Sequence, residues 1–592
     1  MKRLEAIFRG LAVWRRFYRP QLHEHRRSLL LVVVLNLLAI GFDILRPWPL
    51  KWIVDGALVT DDPPAHSPGF VIWTGGAAAI LVVLLRTRSE YMAAMKATEI
   101  GHSVTRGLRN AIFRHLGRLS PAFHSRHKSG DLLVRLMGDV PMVRTMLVDS
   151  SIGLASRSLL IAGTIAVMFT VDPLLTTVVL GLLPVVAFAV RAIARQLTIA
   201  VRKQRSKEGH MADYLHEAIA ANTLIQSLGR SDHVSRNFAR NNRTAARAEM
   251  KAARLGARMS ATVENLLGLA LAAALVLGSF RVVQGHLKAG ELLLILSYVR
   301  TLLKPIRSFS KQADKVAKGT ACGDRILTIL DQPVEVADAA GALPAPAAPG
   351  SLSFEEVSYT YPDGSRALVG VKAAFRRGEL VAIFGRSGSG KSTMAALALR
   401  LFDPTRGRVV LDGRDLREYE LQSLRDSFGL SLQESMLLGE TIRENMRLGR
   451  PDASDEAILR ACRKAAADEF LARLPDGLDT LLGASGVGLS GGERRRLCLA
   501  RTLLRDAPVL IVDEPFVGLD RPAAEKVRAT LSALASERIV LVITHETRHL
   551  DAFDRIVFLS DGRVAASGPH DELLERSADY AEITRSMAVL AT

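Results

Sequence analysis

Two short stretches of this chain combine residue types that handle phosphate and water. The first is ELVAIFGRSGSGKSTMAALAL, in which Gly385-x4-Gly390-Lys391-Ser392 sits between an apolar run and a helical pattern. That spacing in that context is a phosphate-binding P-loop. Glycines at 385, 388 and 390, interleaved with Arg386, Ser387 and Ser389, let backbone N–H groups converge on phosphate oxygens. The helix beginning at Lys391-Ser392-Thr393 adds the positive end of its dipole. Lys391 is placed to reach the outer phosphates, and the Ser392 hydroxyl to hold a divalent cation. The second stretch, APVLIVDE, ends a buried strand on Asp513-Glu514. An acid there suits a phosphate-bound Mg²⁺, and the neighbouring carboxylate suits polarising an attacking water.

A third motif makes sense only beside the first two. Leu489-Ser490-Gly491-Gly492-Glu493 opens an Arg/Leu-rich helix and forms a second anion site by the same dipole argument. One nucleotide needs one P-loop, so a spare site suits a nucleotide held by another subunit.

The elements that must carry these residues fall into two textures. Beyond residue 350, short Val/Ile/Leu strands alternate with helical segments, the pattern of an α/β domain. Before it, PVEVADAAGALPAPAAP (333–349) reads as a linker. The first 332 residues hold long apolar runs starting near Ser28, Phe70, Ile152, Leu174, Val263 and Ala289, which predicts six membrane spans. Positive charge alternates with these runs. Lys2, Arg3, Arg15 and Arg16 precede the first, DGALVTDDPPAHSPG after it has no Lys or Arg, and the stretches 86–157 and 191–258 are strongly basic. Both termini are therefore expected on the cytosolic side. The apolar runs also exclude the nucleic-acid binder that a net charge of +18 would otherwise suit. Cys322, Cys462 and Cys498 lack metal-site spacing and are expected to be reduced structural thiols. There is no convincing internal repeat, so the expected fold is one all-α six-helix membrane domain (1–332) followed by one α/β P-loop ATPase domain (350–592).

With these motifs in order, the whole chain resembles the ATP-binding-cassette transporters of the exporter-fold, half-transporter group. Leu489–Glu493 resembles that family's LSGGQ signature, with Glu last. The resemblance implies that Tyr361, in SYTYPDG, stacks on adenine. It likewise implies that Gln433 is the Q-loop glutamine that joins Ser392 and Asp513 at the metal. Leu519-Asp520 matches the D-loop, His545 the switch histidine and Glu514 the catalytic glutamate. Segments 119–133 and 225–238 resemble the helices that couple the membrane domain to the ATPase. It further implies ATP and Mg²⁺ as cofactors, a homodimer in a bacterial inner membrane among lipids, and no nucleic-acid partner. Two departures stand out: Ala484 and Ser485 lie where an acid usually precedes the signature, and DEPFVGLD replaces the commoner DEATSALD.

For cargo only the membrane domain is informative. Arg86, Arg88 and Glu90 lie at or beyond the inner part of the second span, and Arg157 opens the third. Arg300, Lys304 and Arg307 follow i, i+4, i+7 spacing on one face of the last. At Arg86 and Arg307 this resembles the basic ring of the bacterial lipid A flippase, which implies an anionic amphiphile. The other reading is of cations snorkelling to lipid headgroups. Export or flipping leads; siderophore-type uptake, or a gated or regulatory protein without transport, are the alternatives.

Overall fold

A computed structural model describes residues 26–58, 67–127, 129–432, 435–483 and 488–590. The chain divides into two units. One comprises residues up to Arg114 together with Leu132–Asp331, and the other comprises His115–Asp131 together with Gln332 onward.

Among the described residues, six helices of twenty or more residues dominate the first unit. They are α1 (Arg26–Leu45), α2 (Pro68–Leu116), α3 (Ser151–Val171), α4 (Pro173–Ala220), α5 (Ser231–Val283) and α6 (Ala289–Leu330). Stretches including α1, α2, α3 and α5 are apolar and long enough to cross a bilayer among the described residues. Their apolar side chains face outward: Leu30, Leu37 and Leu38 on α1, and Leu81, Leu84 and Leu85 on α2, are all exposed. A helix that exposes Leu and Val to its surroundings needs lipid around it. At about 1.5 Å per residue, the 49 residues of α2 and 53 of α5 run well over twice the ~30 Å hydrocarbon thickness. The apolar run near Val263 is thus the far end of a helix that begins 32 residues earlier.

Local chemistry accounts for the breaks. Between α3 and α4, Asp172 is extended, its carboxylate accepts from the Leu175 N–H (2.9 Å), and Pro173 starts the helix. The same carboxylate receives two bonds from Arg281 near the end of α5, at 2.9 and 3.0 Å. The start of α6 is held by Asp55, which accepts from the Gly290 N–H (2.7 Å), and by Lys51–Glu291 (3.3 Å). Two short helices interrupt the long ones, at Pro121–Arg126 and Asn222–Ser227. The second break lies upstream of the expected 225–238. Helix α5 already starts at Ser231, because Gly229 takes φ +64 and turns the chain there. From Ser129 to Val171 the helix alternates α and π winding, with π segments at Arg135–Asp139 and Thr145–Ser150.

The described residues of the second unit form two sheets. Strands β1 (Ser351–Thr360), β2 (Arg366–Arg376), β4 (Arg406–Leu411) and β5 (Arg414–Asp415) form an antiparallel sheet ordered β2-β1-β4-β5. Strands β3 (Leu380–Phe384), β6 (Phe428–Ser431), β7 (Val509–Asp513), β8 (Ile539–Thr544), β9 (Arg555–Ser560) and β10 (Arg563–Gly568) form the second, ordered β10-β9-β3-β8-β7-β6. All neighbours in it are parallel except β9 and β10. Strands β3, β7 and β8 are buried along their whole length, as expected of parallel strands covered on both faces. Helices α7 (Lys391–Ala398), α8 (Gly491–Leu504) and α9 (Arg521–Ala535) pack around this sheet.

Residues 333–349 lie against this unit rather than hanging free. Leu343 exchanges backbone bonds with Glu418 (2.9 Å) and Glu420 (2.8 Å), and Asp338 accepts from the Leu421 N–H at 2.7 Å. Cys322, Cys462 and Cys498 are free and buried. Burial pushes the Cys462 thiol up to about 12 and raises that of Cys498, so neither is a thiolate at neutral pH.

Candidate functional site

Strand register assembles the site. Phe384 pairs with Thr544, and Ile543 with Asp513, so β3, β8 and β7 end at one edge of the sheet. The next residues along each strand, Gly385, His545 and Glu514, therefore emerge side by side although up to 160 positions separate them in the chain. Ligands of open parallel sheets bind at this carboxyl edge.

The loop from Gly385 to Gly390 has the tightness its glycines predict. A methyl group on Gly385 would collide with the Leu559 carbonyl, and one on Gly390 (φ +102) would lie 2.5 Å from the Ala367 carbonyl. Lys391 is buried, and its Nζ donates to the Gly385 and Arg386 carbonyls, both at 2.8 Å. The ammonium is thus held across the mouth of the loop, and burial lowers its pKa. Arg386 and Ser387 are exposed at the rim, while Ser389 is buried with its hydroxyl unpartnered. Tyr361 donates to or accepts from Thr393 (2.9 Å), and the two line a cavity of about 280 Å³ with Gly388, Gly390, Lys391 and Ser392. Ser365 and Arg366 also line it. Sequence reasoning missed both; the turn following Tyr361 was the signal.

Ser392 Oγ lies 3.3 Å from Asp513 Oδ2. Asp513 and Glu514 are 6% and 4% exposed, so both carboxyls are deep in the site. Burial, then the Glu514 charge, pushes the Asp513 carboxyl up to about 6. An acid this destabilised as an anion, with a hydroxyl beside it, suits a divalent cation. Glu514 adopts φ +54 and pairs through Oε1 with Nδ1 of His545, whose backbone N–H also donates to Oε1 (3.2 Å). Glu514 Oε2 has no partner and is buried. A carboxylate with one oxygen fixed and the other free can orient a water. Gln433 lies outside the described residues, as do Ala484 and Ser485.

Ser490 caps α8 in a reciprocal box: its hydroxyl accepts from the Glu493 N–H (3.2 Å), and Glu493 accepts from the Ser490 N–H (2.8 Å). That second bond holds the Glu493 carboxyl below its ordinary range. Gly491 and Ser490 are exposed. Gly492 abuts the Gly518 carbonyl, a methyl there lying 3.0 Å from it, and Arg495 donates to the Val517 carbonyl. The signature helix and the segment following Glu514 are therefore pinned together.

In the first unit a cavity of about 730 Å³ collects Arg46, Arg86, Arg157 and Arg300 with Asp43 and Glu90. Arg86 and Arg300 were expected; Arg46 and Asp43 were missed, although a charge inside the first apolar run is itself a signal. The backbone of α6 carries Lys304 and Arg307, whose side chains lie outside those described. Arg86 is already held by Asp43 (2.5 Å) and Glu90 (3.2 Å).

Comparison with known proteins agrees with both units. The family model of the ABC transporter transmembrane region matches residues 29–306, and that of the ABC transporter matches 368–517. The chain is 33% identical over 535 residues to an ATP-dependent lipid A-core flippase of Chromobacterium violaceum, covering 90% of each. It is 28% identical to a Bacillus subtilis protein provisionally named for multidrug export, covering 95% of this chain and 97% of that one. The solved structure of a bacterial Atm1-family ABC exporter with ATP bound superposes with a TM-score of 0.81 at 27% identity, covering 95% and 98%.

Proposed function

The chain belongs to the ABC transporter family, as a transmembrane region fused to its ATPase, and we propose that its cargo is an anionic amphiphile exported or flipped from the inner leaflet. ATP hydrolysis drives transport in this fold. The observation that carries the cargo reading is the cavity of the membrane unit, where four arginines face two acids. In a partly dry cavity that excess attracts an anion more strongly than it would in water. The flippase likeness supports the same reading, since lipid A-core is named as that relative's cargo. Arginines inside a membrane unit that line a cavity, rather than its ends, favour recognition over snorkelling.

At the ATPase, Lys391 and the loop N–H groups bind the phosphates, and Tyr361 stacks on the base. Mg²⁺ would be held by Ser392 and Asp513, joined by Gln433, and would neutralise phosphate charge. Glu514 orients the water and takes up its proton, with His545 fixing the carboxylate. The Ser490–Glu493 motif, exposed at Ser490 and Gly491, completes the site of a second copy, so the working unit is a homodimer. It lies in a bacterial inner membrane with ATPase and termini cytosolic, the coupling segments being 119–133 and 222–230, and 333–349 the linker. The pairing of Glu514 with His545 speaks against a regulatory, non-hydrolysing subunit.

The test is ATPase activity of purified protein in nanodiscs of neutral lipid, titrated with dodecyl phosphate and with an uncharged dodecyl glycoside. Saturable stimulation by the phosphate at lower concentration than by the glycoside is expected. Equal responses, or none, would overturn the anionic-cargo reading.

A further inference from the structure

The six charged groups around the membrane-unit cavity are not equivalent. Arg86 on α2 lies between two carboxylates, its Nε 2.5 Å from Asp43 Oδ1 on α1 and its Nη1 3.2 Å from Glu90 Oε2 one turn further along α2. Arg46, Arg157 and Arg300 form no ion pair with any described residue, and Nη1 of Arg157 is buried without a partner. The arginines therefore divide. Three offer their charge to a ligand, while the fourth is consumed by the protein itself.

The consumed one sits where a cation would bind. Two carboxylates converging on one point make a cation seat, and here the chain fills it with its own guanidinium. The cluster of Asp43, Arg86 and Glu90 carries one net negative charge, and the other three arginines are the lining cations without an ion pair among the described residues. We infer that the Asp43–Arg86–Glu90 cluster sets the charge selectivity of the cavity: Arg86 is a resident counter-ion that excludes cationic amphiphiles, rather than the anion's main contact. This rests on the amphiphile reading above and assigns Arg86 the opposite task to the one its charge alone suggests. Without Arg86, two uncompensated carboxylates would border the cavity. Leaving the partly buried Asp43 charge unpaired is unfavourable, so a cationic headgroup entering would gain the interaction that Arg86 now makes with it, the exposed Glu90 adding to the attraction.

The experiment compares dodecyl phosphate with dodecyltrimethylammonium as stimulators of ATPase activity, in the full-length protein in neutral-lipid nanodiscs. Arg86→Gln is expected to shift half-stimulation by the phosphate less than about threefold and to create a saturable response to the ammonium. Arg300→Gln should weaken the phosphate response by about tenfold or more, the effect of losing one charge-assisted contact, and create no ammonium response. Adding Asp43→Asn to Arg86→Gln should abolish the new ammonium response, and Arg86→Lys should restore exclusion. Should Arg86→Gln fail to fold, Asp43→Asn alone still decides. It frees part of the Arg86 charge and should strengthen the phosphate response several-fold; an unchanged or weaker response overturns the inference. So does an Arg86→Gln protein that loses the phosphate response as fully as Arg300→Gln and gains nothing from the ammonium. A wild-type protein that hydrolyses ATP but answers neither amphiphile sinks the cargo reading itself, which is distinct from any failure confined to the variants.

Discussion

Asp513 illustrates how a catalytic site is held at a cost to stability. Its carboxyl stays protonated up to about pH 6 in the folded protein, because burial and Glu514 disfavour the charge. The unfolded chain releases that proton near pH 4. Between those values the native state binds more protons, so its stability falls as pH rises, and above 6 the full penalty is present. Asp513→Asn should therefore raise the melting temperature of the nucleotide-free protein, more at pH 7.5 than at pH 5. The gain is about 3 kcal/mol at most, and hydrolysis should be lost. Scanning calorimetry at both pH values checks it, and an equal or lower melting temperature at pH 7.5 contradicts the assignment. Glu514 presents the complementary case, with one oxygen fixed by His545 and the other free. Glu514→Gln should bind ATP with near-normal affinity and hydrolyse it at least a hundredfold more slowly, a magnitude on the order of losing a general base. Lys391→Ala should instead lose ATP binding, measured with a fluorescent nucleotide; retained turnover in Glu514→Gln would remove it from the chemistry.

At the scale of elements, the loop and the turn are set by backbone conformations that other residues cannot adopt. Gly390 combines a left-handed φ with a carbonyl 2.5 Å from any added methyl, so Gly390→Ala strains the chain twice over. The expected result is a drop in ATP affinity of tenfold or more, about the 1–3 kcal/mol that such strain costs, with the rest of the fold intact by circular dichroism. An unaltered nucleotide Kd would show that the loop yields more easily than its geometry suggests. In the membrane unit, Asp172 both caps α4 and holds Arg281 of α5. Asp172→Ala removes a cap and leaves a guanidinium unpaired, and should lower the unfolding temperature measured in nanodiscs. The loss corresponds to about 1–3 kcal/mol, and Asp172→Asn, which keeps the cap alone, should recover part of it.

At the scale of the whole molecule, Ser490 and Gly491 are exposed at the start of α8. Two copies facing each other would bring each signature to the partner's phosphates. Neither Lys391→Ala nor Ser490→Arg should hydrolyse ATP well alone, whereas confirmed heterodimers of the two retain one intact composite site. Up to about half the wild-type rate is expected if the sites act independently. Rates no higher than those of the separate mutants would mean that both sites must be intact, or that the sites are not shared.

Much of this protein is written locally. The P-loop, the strand ending in Asp513-Glu514, the capped glycine pair at Ser490 and the apolar runs are each contiguous patterns, because phosphate binding, helix capping and membrane insertion depend on near neighbours. Helix starts at 68, 173 and 289 fall within two residues of the expected ones for the same reason, whereas the run near Val263 is the far end of a helix that starts at Ser231. What required the tertiary structure is whatever pairs distant residues. Parallel strand order brings Gly385, Glu514 and His545 to one edge, and packing of α1 against α2 turns Arg86 from an apparent free cation into half of an ion pair with Asp43. A charge read along a chain shows its sign. Only its neighbours in space decide whether that charge is available, because electrostatic interaction falls with distance through the fold and takes no account of separation in sequence.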